Sequence, residues 1–306
     1  MTSGTGRRSQ ARWLLVLLCA ACDRKNSGDA RPSASAAPSS VVAAPSPPPS
    51  ELRARAPAPG CRAIRLSGLA TVGQRSLATG DVLDGESWVT LEKGGNMALK
   101  HSATGRELSI SGPALFRACR RGREQLLLVR GSVSAASGMG SRPGAEVLIA
   151  TPLGAFHYGD AEYKLDLDDK RLNLIVRAGQ VEIDLEPPSQ PGKASKKTLS
   201  GKDKLSLPLG KPDPKALLAS CQAAAEAAQA SARRVGERNS PEPLGQRAQA
   251  HVEARKAARF ACTVAAAATG LVADPVASAG LWAEATRWEG LGESIPGRGR
   301  AQGPEK

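Results

Sequence analysis

Aromatic side chains are scarce in this chain and make up 3% of its 306 residues. Because nucleic-acid-binding modules stack bases on aromatic rings, this scarcity argues against a nucleic-acid partner, despite a formal net charge of +13. The three histidines, His101, His157 and His251, lie far apart, so we expect no metal site. The sequence also lacks a nucleophile elbow, a phosphate loop and an H-E-x-x-H motif. We therefore expect neither a cofactor nor an enzymatic activity.

The longest apolar run near the start is short. Three arginines within residues 7–12 precede the apolar residues 13–21, an order that is typical of an export signal. The run has about half the length needed to cross a bilayer. Because Cys22 follows a pair of alanines directly, the segment resembles a bacterial lipoprotein signal, with Cys22 as the lipidated new N-terminus. Ordinary secretion after cleavage near Ala21 is the alternative.

Composition divides the rest of the chain. After a signal over residues 1–21, residues 22–60 are rich in Pro, Ala and Ser and lack the apolar content of a core, so we expect a disordered tether. We predict an all-β domain over residues 61–210, a helical region over 211–290 and a disordered tail over 291–306. The mature protein is thus predicted to be tethered to the membrane on the periplasmic face of the cell envelope.

Four cysteines follow the export segment, namely Cys61, Cys119, Cys221 and Cys262, and no two of them form a C-x-x-C motif. An even number in an oxidising compartment favours two disulfides. Of the pairings that four cysteines allow, the domain division favours Cys61 with Cys119 and Cys221 with Cys262. The alternative for Cys221 and Cys262 is that both are small buried residues without a bond.

Residues 64–185 alternate between apolar and polar side chains, with glycine-containing turns, as is typical of an all-β module. Each strand is predicted to bury one face and to leave the other in solvent. A twisted sandwich, a roll and a short solenoid all fit this alternation. We interpret the acidic side chains of this region as solvated strand faces rather than as paired catalytic acids: Asp166, Asp168, Asp169, Glu182, Asp184 and Glu186.

After a predicted loop over residues 186–204 and a last strand, the period becomes helical. Asp213 before Pro214 is typical of a helix start, and small or apolar residues then recur at spacings of three and four. We predict one helix that ends near residue 239 and a second over 244–269, which form an antiparallel, coiled-coil-like hairpin. A last short helix is predicted to cap the hairpin or the β module through Leu281, Trp282, Ala285 and Trp288.

Five short motifs follow one another in the strand-rich region. They are Gly80-Asp-Val-Leu, Gly131-Ser-Val, Thr151-Pro-Leu-Gly, Gly159-Asp160 with Tyr163, and Val176-Arg-Ala-Gly-Gln-Val. In this order and spacing they resemble the FecR domain over residues 64–186. The fourth motif departs from the family pattern, because Gly159-Asp160 stands where Gly-Thr is usual.

The resemblance implies an envelope β module that binds a partner. The best-known members are periplasmic sensor regulators linked to an outer-membrane receptor and a sigma factor. They carry a cytoplasmic segment and a spanning helix before the β domain, and we expect neither here. We predict a non-catalytic lipoprotein whose FecR-like domain binds an envelope protein in signalling or surface assembly, with His157, Gly159 and Asp160 as candidate contacts at the family-like turn.

The densest basic run supplies the alternative function. Arg117, Arg120, Arg121 and Arg123 lie within seven residues, and we predict that they face solvent or anionic envelope polymers. On this hypothesis the chain is a structural protein of the envelope that binds anionic polymer through a basic surface.

Overall fold

The computed structural model describes residues 60–120, 123–136, 147–185, 195–237 and 240–293. The predicted signal, the lipidation site Cys22 and the tether lie outside the described residues, as does the chain from residue 294 onward.

In the described part of the chain, fifteen strands are followed by three α-helices. The strands are β1 (Cys61–Ser67), β2 (Ala70–Val72), β3 (Arg75–Ser76), β4 (Val82–Leu83), β5 (Val89–Leu91), β6 (Asn96–His101), β7 (Glu107–Ala118), β8 (Gln125–Ala135), β9 (Val147–Thr151), β10 (Gly154–Tyr158), β11 (Glu162–Leu167), β12 (Arg171–Ala178), β13 (Gln180–Leu185), β14 (Ser195–Ser200) and β15 (Lys204–Pro208). The helices are α1 (Pro214–Gly236), α2 (Leu244–Ala268) and α3 (Pro275–Glu293).

Two long strands, β7 and β8, bend and belong to both layers of the β module. The first half of β7 pairs with β6 and the second half with β5. In the same way β8 pairs with β9 through its first residues and with β11 through its last. One layer therefore runs β4-β1-β6-β7-β8-β11-β12-β15 and the other β3-β2-β5-β7-β8-β9-β10-β13-β14. The result is a two-layered roll, one of the architectures that the alternation left open.

The bend in β8 depends on Gly131. Its backbone has φ +125°, a region that residues with a side chain rarely adopt. A Cβ atom at this position would lie 2.6 Å from the Cβ of Ala114 in the adjacent strand. Glycine therefore allows β8 to leave one layer and enter the other.

The main hydrophobic core lies between the two layers, and the predicted alternation is confirmed in β11, β12 and β13. The alternation fails where β8 begins and in β9, because these segments are buried on both faces. The reason is a second hydrophobic cluster, in which the helices cover the outer face of the sheet. On the sheet side this cluster contains Leu127, Leu148, Ala150 and Ala155.

The helices begin and end close to the predicted positions. Asp213 caps α1 by accepting a hydrogen bond from the backbone N–H of Lys215. Helix α3 is longer than predicted and packs against both α1 and α2, so the three helices form a bundle instead of a hairpin with a short appendix. The four α3 residues predicted to cap the structure do pack into the second hydrophobic cluster: Leu281, Trp282, Ala285 and Trp288.

The predicted loop over residues 186–204 is wrong in part, because β14 lies within it and pairs with β13. Five of its six residues are exposed and Leu199 alone is buried. A polar edge strand that buries a single side chain has no visible apolar alternation, which is why its sequence resembles that of a loop.

Both disulfides join the cysteines that the domain division paired. Cys61 is bonded to Cys119 with a Cα–Cα distance of 5.5 Å, and Cys221 to Cys262 with a Cα–Cα distance of 4.4 Å. Disulfides persist in oxidising compartments, so the two bonds are typical of an extracytoplasmic protein. Among the described helices, none has the length and apolar character required to cross a membrane.

Candidate functional site

The candidate site is a groove on the outer face of the sheet, where β10 and β13 lie side by side. His157 of β10 is in register with Glu182 of β13. Because the neighbouring Tyr158 and Val181 are in the core, His157 and Glu182 belong to the outer face. The helices cover Ala155 on this face, whereas Glu182 is exposed. The groove thus lies beside the part of the sheet that the helices cover.

The groove has a volume of about 570 Å³ and brings the three candidate contact residues of the sequence together. Grooves between about 300 and 1,000 Å³ are the usual size of ligand sites in proteins. The facing strand β13 supplies two lining residues that the sequence did not single out as contacts. Within the described part of the chain the lining residues are His157, Tyr158, Gly159, Asp160, Gln180 and Glu182.

His157 lies beside a carboxylate at the groove. Its Nε2 lies 3.3 Å from Oδ2 of Asp184, which is in register with Ala155 and therefore lies on the same face as Glu182. The two side chains are 23% and 20% exposed. This distance places the imidazole ring beside a carboxylate in the groove wall.

Asp160 lies in the turn between β10 and β11 and is paired with an arginine. Its Oδ1 is 3.2 Å from Nη2 of Arg106, and the aspartate side chain is 63% exposed whereas that of the arginine is 9% exposed. The exposed carboxylate therefore has a partner whose side chain is largely buried. The arginine positions the aspartate at the edge of the groove.

Behind Arg106 lies a buried polar cluster that the sequence analysis missed. The Thr104 hydroxyl donates a hydrogen bond of 2.8 Å to Oε2 of Glu124 and lies 3.1 Å from Nδ1 of His101. Because that hydroxyl already donates to Glu124, His101 is the donor in the second contact. The His101 and Glu124 side chains are 5% and 6% exposed. No local motif links these residues, so a linear pattern does not reveal the cluster.

Tyr158, the last residue of β10, and Tyr163 of β11 do not supply chemistry to the groove. The rings of Tyr158 and Tyr163 meet edge to face with centroids 4.4 Å apart, and both residues are 3% exposed. Burial raises the pKa of both hydroxyl groups. Both tyrosines are therefore neutral at physiological pH and serve as core side chains.

We expect the buried carboxyl of Glu124 to make stability depend on pH. Burial raises its pKa above the ordinary value of 4.5, although the Thr104 hydrogen bond and the charges of His101 and Arg106 oppose this. The folded state therefore holds the proton more tightly than the unfolded state, and the free energy of unfolding falls as pH rises from about 4.5 through the raised pKa. The Glu124→Gln variant has no carboxyl group at this position to bind the proton.

Urea unfolding of the wild type and of Glu124→Gln at several pH values measures this effect. The free energy of unfolding of the variant minus that of the wild type should increase with pH across this interval. Parallel curves for the two proteins would show that Glu124 has the same pKa in the folded and unfolded states. A Thr104→Val variant is a useful control, because it removes the hydrogen bond that lowers the Glu124 pKa and should steepen the fall.

The basic run does not form the predicted surface. Arg117 and Arg120 are 7% and 1% exposed, so the prediction that they face solvent is wrong. The guanidinium of Arg117 lies between two rings, 4.3 Å from the centroid of Trp88 and 3.8 Å from that of Trp282. Nη1 of Arg120 is 2.7 Å from Oε2 of Glu289. The two arginines join the β module to α3, which no pattern within the run itself reveals.

The remaining members of the run contribute less to this buried cluster. Arg123 is 35% exposed in its side chain and lies 3.9 Å from Glu289, while Arg121 lies outside the described residues. Burial lowers the pKa of Arg117 to about 10, so its guanidinium keeps its charge at neutral pH. The described arginines of the run are thus mainly structural cations.

The acidic strand residues divide into two groups. Asp168 is exposed and accepts hydrogen bonds from the backbone N–H groups of Lys170 and Arg171, which lower its pKa. This carboxylate stabilises the turn before β12. By contrast, Glu182 lines the groove, Asp184 lies beside His157 of the groove, and Glu186 lies outside the described residues.

Comparisons with known proteins give little beyond this geometry. No family model matches the chain, and no curated protein matches it. Two crystal structures of a "putative anti-sigma factor" from Parabacteroides distasonis are similar in part. The first is 12% identical in sequence with a TM-score of 0.31, and the match covers 41% of this chain and 57% of that chain. The second is 11% identical with a TM-score of 0.31, and the match covers 41% of this chain and 56% of that chain. This chain thus spans little more than half of those proteins. The FecR resemblance stays a prediction.

Proposed function

We propose that this chain is a non-catalytic binding module of the bacterial cell envelope, which holds a protein partner at the groove between β10 and β13. The observation that supports this most directly is that Arg106 holds Asp160 by a hydrogen bond and ion pair, while His157 lies 3.3 Å from Asp184. A groove whose walls are already ordered loses little conformational entropy when a partner binds.

The charges of the groove indicate the chemistry of the partner. Asp160 and Glu182 place two carboxylates along it, and Gln180 adds an amide. Carboxylates accept strong hydrogen bonds from lysine and arginine side chains. The proposed partner therefore presents a basic segment to this groove.

A binding role fits the described lining better than catalysis does. Among these lining residues there is no serine, threonine or cysteine that would act as a nucleophile, and burial raises the pKa of the Tyr158 hydroxyl. The site thus offers contacts for recognition but not the paired nucleophile and base that covalent catalysis uses.

The proposed location follows from the sequence and the disulfides together. Lipidation at Cys22 would anchor the protein, and the 38 residues between Cys22 and Cys61 would reach roughly 100 Å at about 3 Å per residue. That reach allows contact with partners in or beyond the anchoring membrane. Membership of the FecR family and a role in envelope signalling are part of this proposal.

Capture of partners from an envelope extract by the mature chain, residues 23–306, tests the proposal. We expect a discrete protein to be retained at both low and high salt, because a packed interface depends less on ionic strength than simple charge attraction. The Glu182→Gln variant should retain it at least about tenfold less, since hydrogen bonds to charged groups contribute about 1.5–3 kcal/mol.

The matched control is Glu284→Gln, which removes the same charge from an exposed position on α3. Equal capture by Glu182→Gln and Glu284→Gln would exclude the groove as the binding site. Capture of polymer alone, with release at high salt, would contradict a protein-binding function.

Polymer binding stays a second candidate because of one exposed group of lysines. Lys196, Lys197, Lys202 and Lys204 are exposed on β14, β15 and the turn between them. If anionic polymer binds there, the double variant Lys196→Gln/Lys197→Gln should reduce polymer capture at low salt, while Glu182→Gln should leave it unchanged. Protein capture should show the opposite pattern.

A further inference from the structure

A small, largely enclosed cavity lies inside the β module beside the Cys61–Cys119 disulfide. The space open to the centre of a water-sized sphere is about 10 Å³, which is close to the minimum that holds one water molecule. Apolar side chains form part of its wall. The polar residues of the wall are His101, Arg106, Glu124 and Gln125.

Three polar atoms of these lining residues are buried and have no hydrogen-bond partner among the described residues. They are Nη1 of Arg106, Oε1 of Glu124 and Nε2 of Gln125. The Arg106 and Glu124 side chains are 9% and 6% exposed, and Gln125 is 4% exposed. An unpaired buried polar group costs about 1–3 kcal/mol, and more when it is charged. Three such atoms on residues that line one cavity therefore indicate a site for a small polar ligand.

We propose that this cavity binds one ordered water molecule, which accepts hydrogen bonds from Arg106 and Gln125 and donates one to Glu124. A water molecule has two lone pairs and two hydrogens, so it satisfies two donors and one acceptor at once. Buried waters in proteins typically make about three such bonds. The volume excludes larger ligands. The Arg106 guanidinium disfavours a cation, and the Glu124 carboxylate disfavours an anion.

The proposed water positions a residue of the groove. Arg106 lines the cavity and its Nη1 is buried without a hydrogen-bond partner among the described residues, while its Nη2 holds Asp160 at the surface. A water bound to Nη1 fixes the guanidinium from inside and so restrains Asp160 outside. The inference does not depend on the proposed function, because the water site exists whether or not the groove binds a protein.

A crystal structure of the mature chain, at a resolution that reveals ordered water, tests the site directly. We expect one density peak at hydrogen-bond distance, about 2.7–3.2 Å, from Arg106 Nη1, Glu124 Oε1 and Gln125 Nε2. The proposal is overturned if the cavity contains no density. It is also overturned if Arg106 bonds directly to Glu124 and closes the space.

Magnetic relaxation dispersion of the water signal gives a second test in solution, because it counts buried waters with long residence times. Glu124→Leu should show one such water fewer than the wild type. If that variant does not fold, Gln125→Met should show the same loss, since it removes a donor and keeps the length of the side chain. An unchanged count in a folded variant contradicts the proposal.

Discussion

Replacement of Glu289 by alanine should lower the free energy of unfolding by about 3–5 kcal/mol, the usual cost of leaving one charge of a buried ion pair without its partner. The carboxylate lies 2.7 Å from Arg120, and both side chains are 1% exposed. Arg120 cannot reach water without separating α3 from the β module. Urea unfolding at neutral pH measures the loss.

Two further variants separate charge from packing at this position. Glu284→Ala, exposed on the same helix, should change stability by no more than about 0.5 kcal/mol. The double variant Arg120→Met/Glu289→Leu should recover most of the loss, because apolar residues of similar size often replace a buried ion pair without a net cost. If Glu289→Ala behaves like Glu284→Ala, the buried ion pair does not hold α3 in place.

The burial of this pair explains why the basic run misled the sequence analysis. Arginine clusters usually face solvent, and nothing in residues 117–123 distinguishes a buried arginine from an exposed one. On α3, Arg117 contacts Trp282 and Arg120 contacts Glu289. Both α3 residues lie more than 150 positions further along the chain. Their contact depends on α3 packing across the sheet, which is a long-range event.

Local patterns predicted the elements well because their causes are local. Asp213 and Pro214 mark a helix start through backbone geometry. The alternation of β11 arises because one face of the strand is buried and the other is solvated. The groove was found in part for the same reason, since His157, Gly159 and Asp160 are neighbours in sequence. The supporting cation Arg106 was missed because it enters the site from another strand connection.

The pairing of the cysteines was predictable because each disulfide lies within one class of secondary structure. Cys61 and Cys119 lie at the start of β1 and just after β7, and Cys221 and Cys262 join α1 to α2. The architecture was not predictable in the same way. The alternation of apolar and polar residues shows which face of a strand is buried. The roll, by contrast, depends on the bend of β8 at Gly131 and on the helices that cover the outer face of the sheet.

The Cys221–Cys262 bond should contribute about 4 kcal/mol to the stability of the folded chain. Its sequence separation is 41 residues, and the chain-entropy model gives about this value for a loop of that length. The double variant Cys221→Ala/Cys262→Ala removes the bond with little change in packing, because alanine favours helices and already forms most of the α1–α2 contact. Urea unfolding compares the variant with the wild type.

The second disulfide supplies the control for this prediction. Cys61 and Cys119 are 58 positions apart, and the entropy of loop closure grows only with the logarithm of loop length, so the model expects nearly equal losses for the two double variants. A much smaller loss for the helical pair would mean that the bundle restricts the unfolded chain even without the bond. If neither double variant changes the free energy of unfolding, the entropic account is contradicted. The two hydrophobic clusters alone would then stabilise the fold.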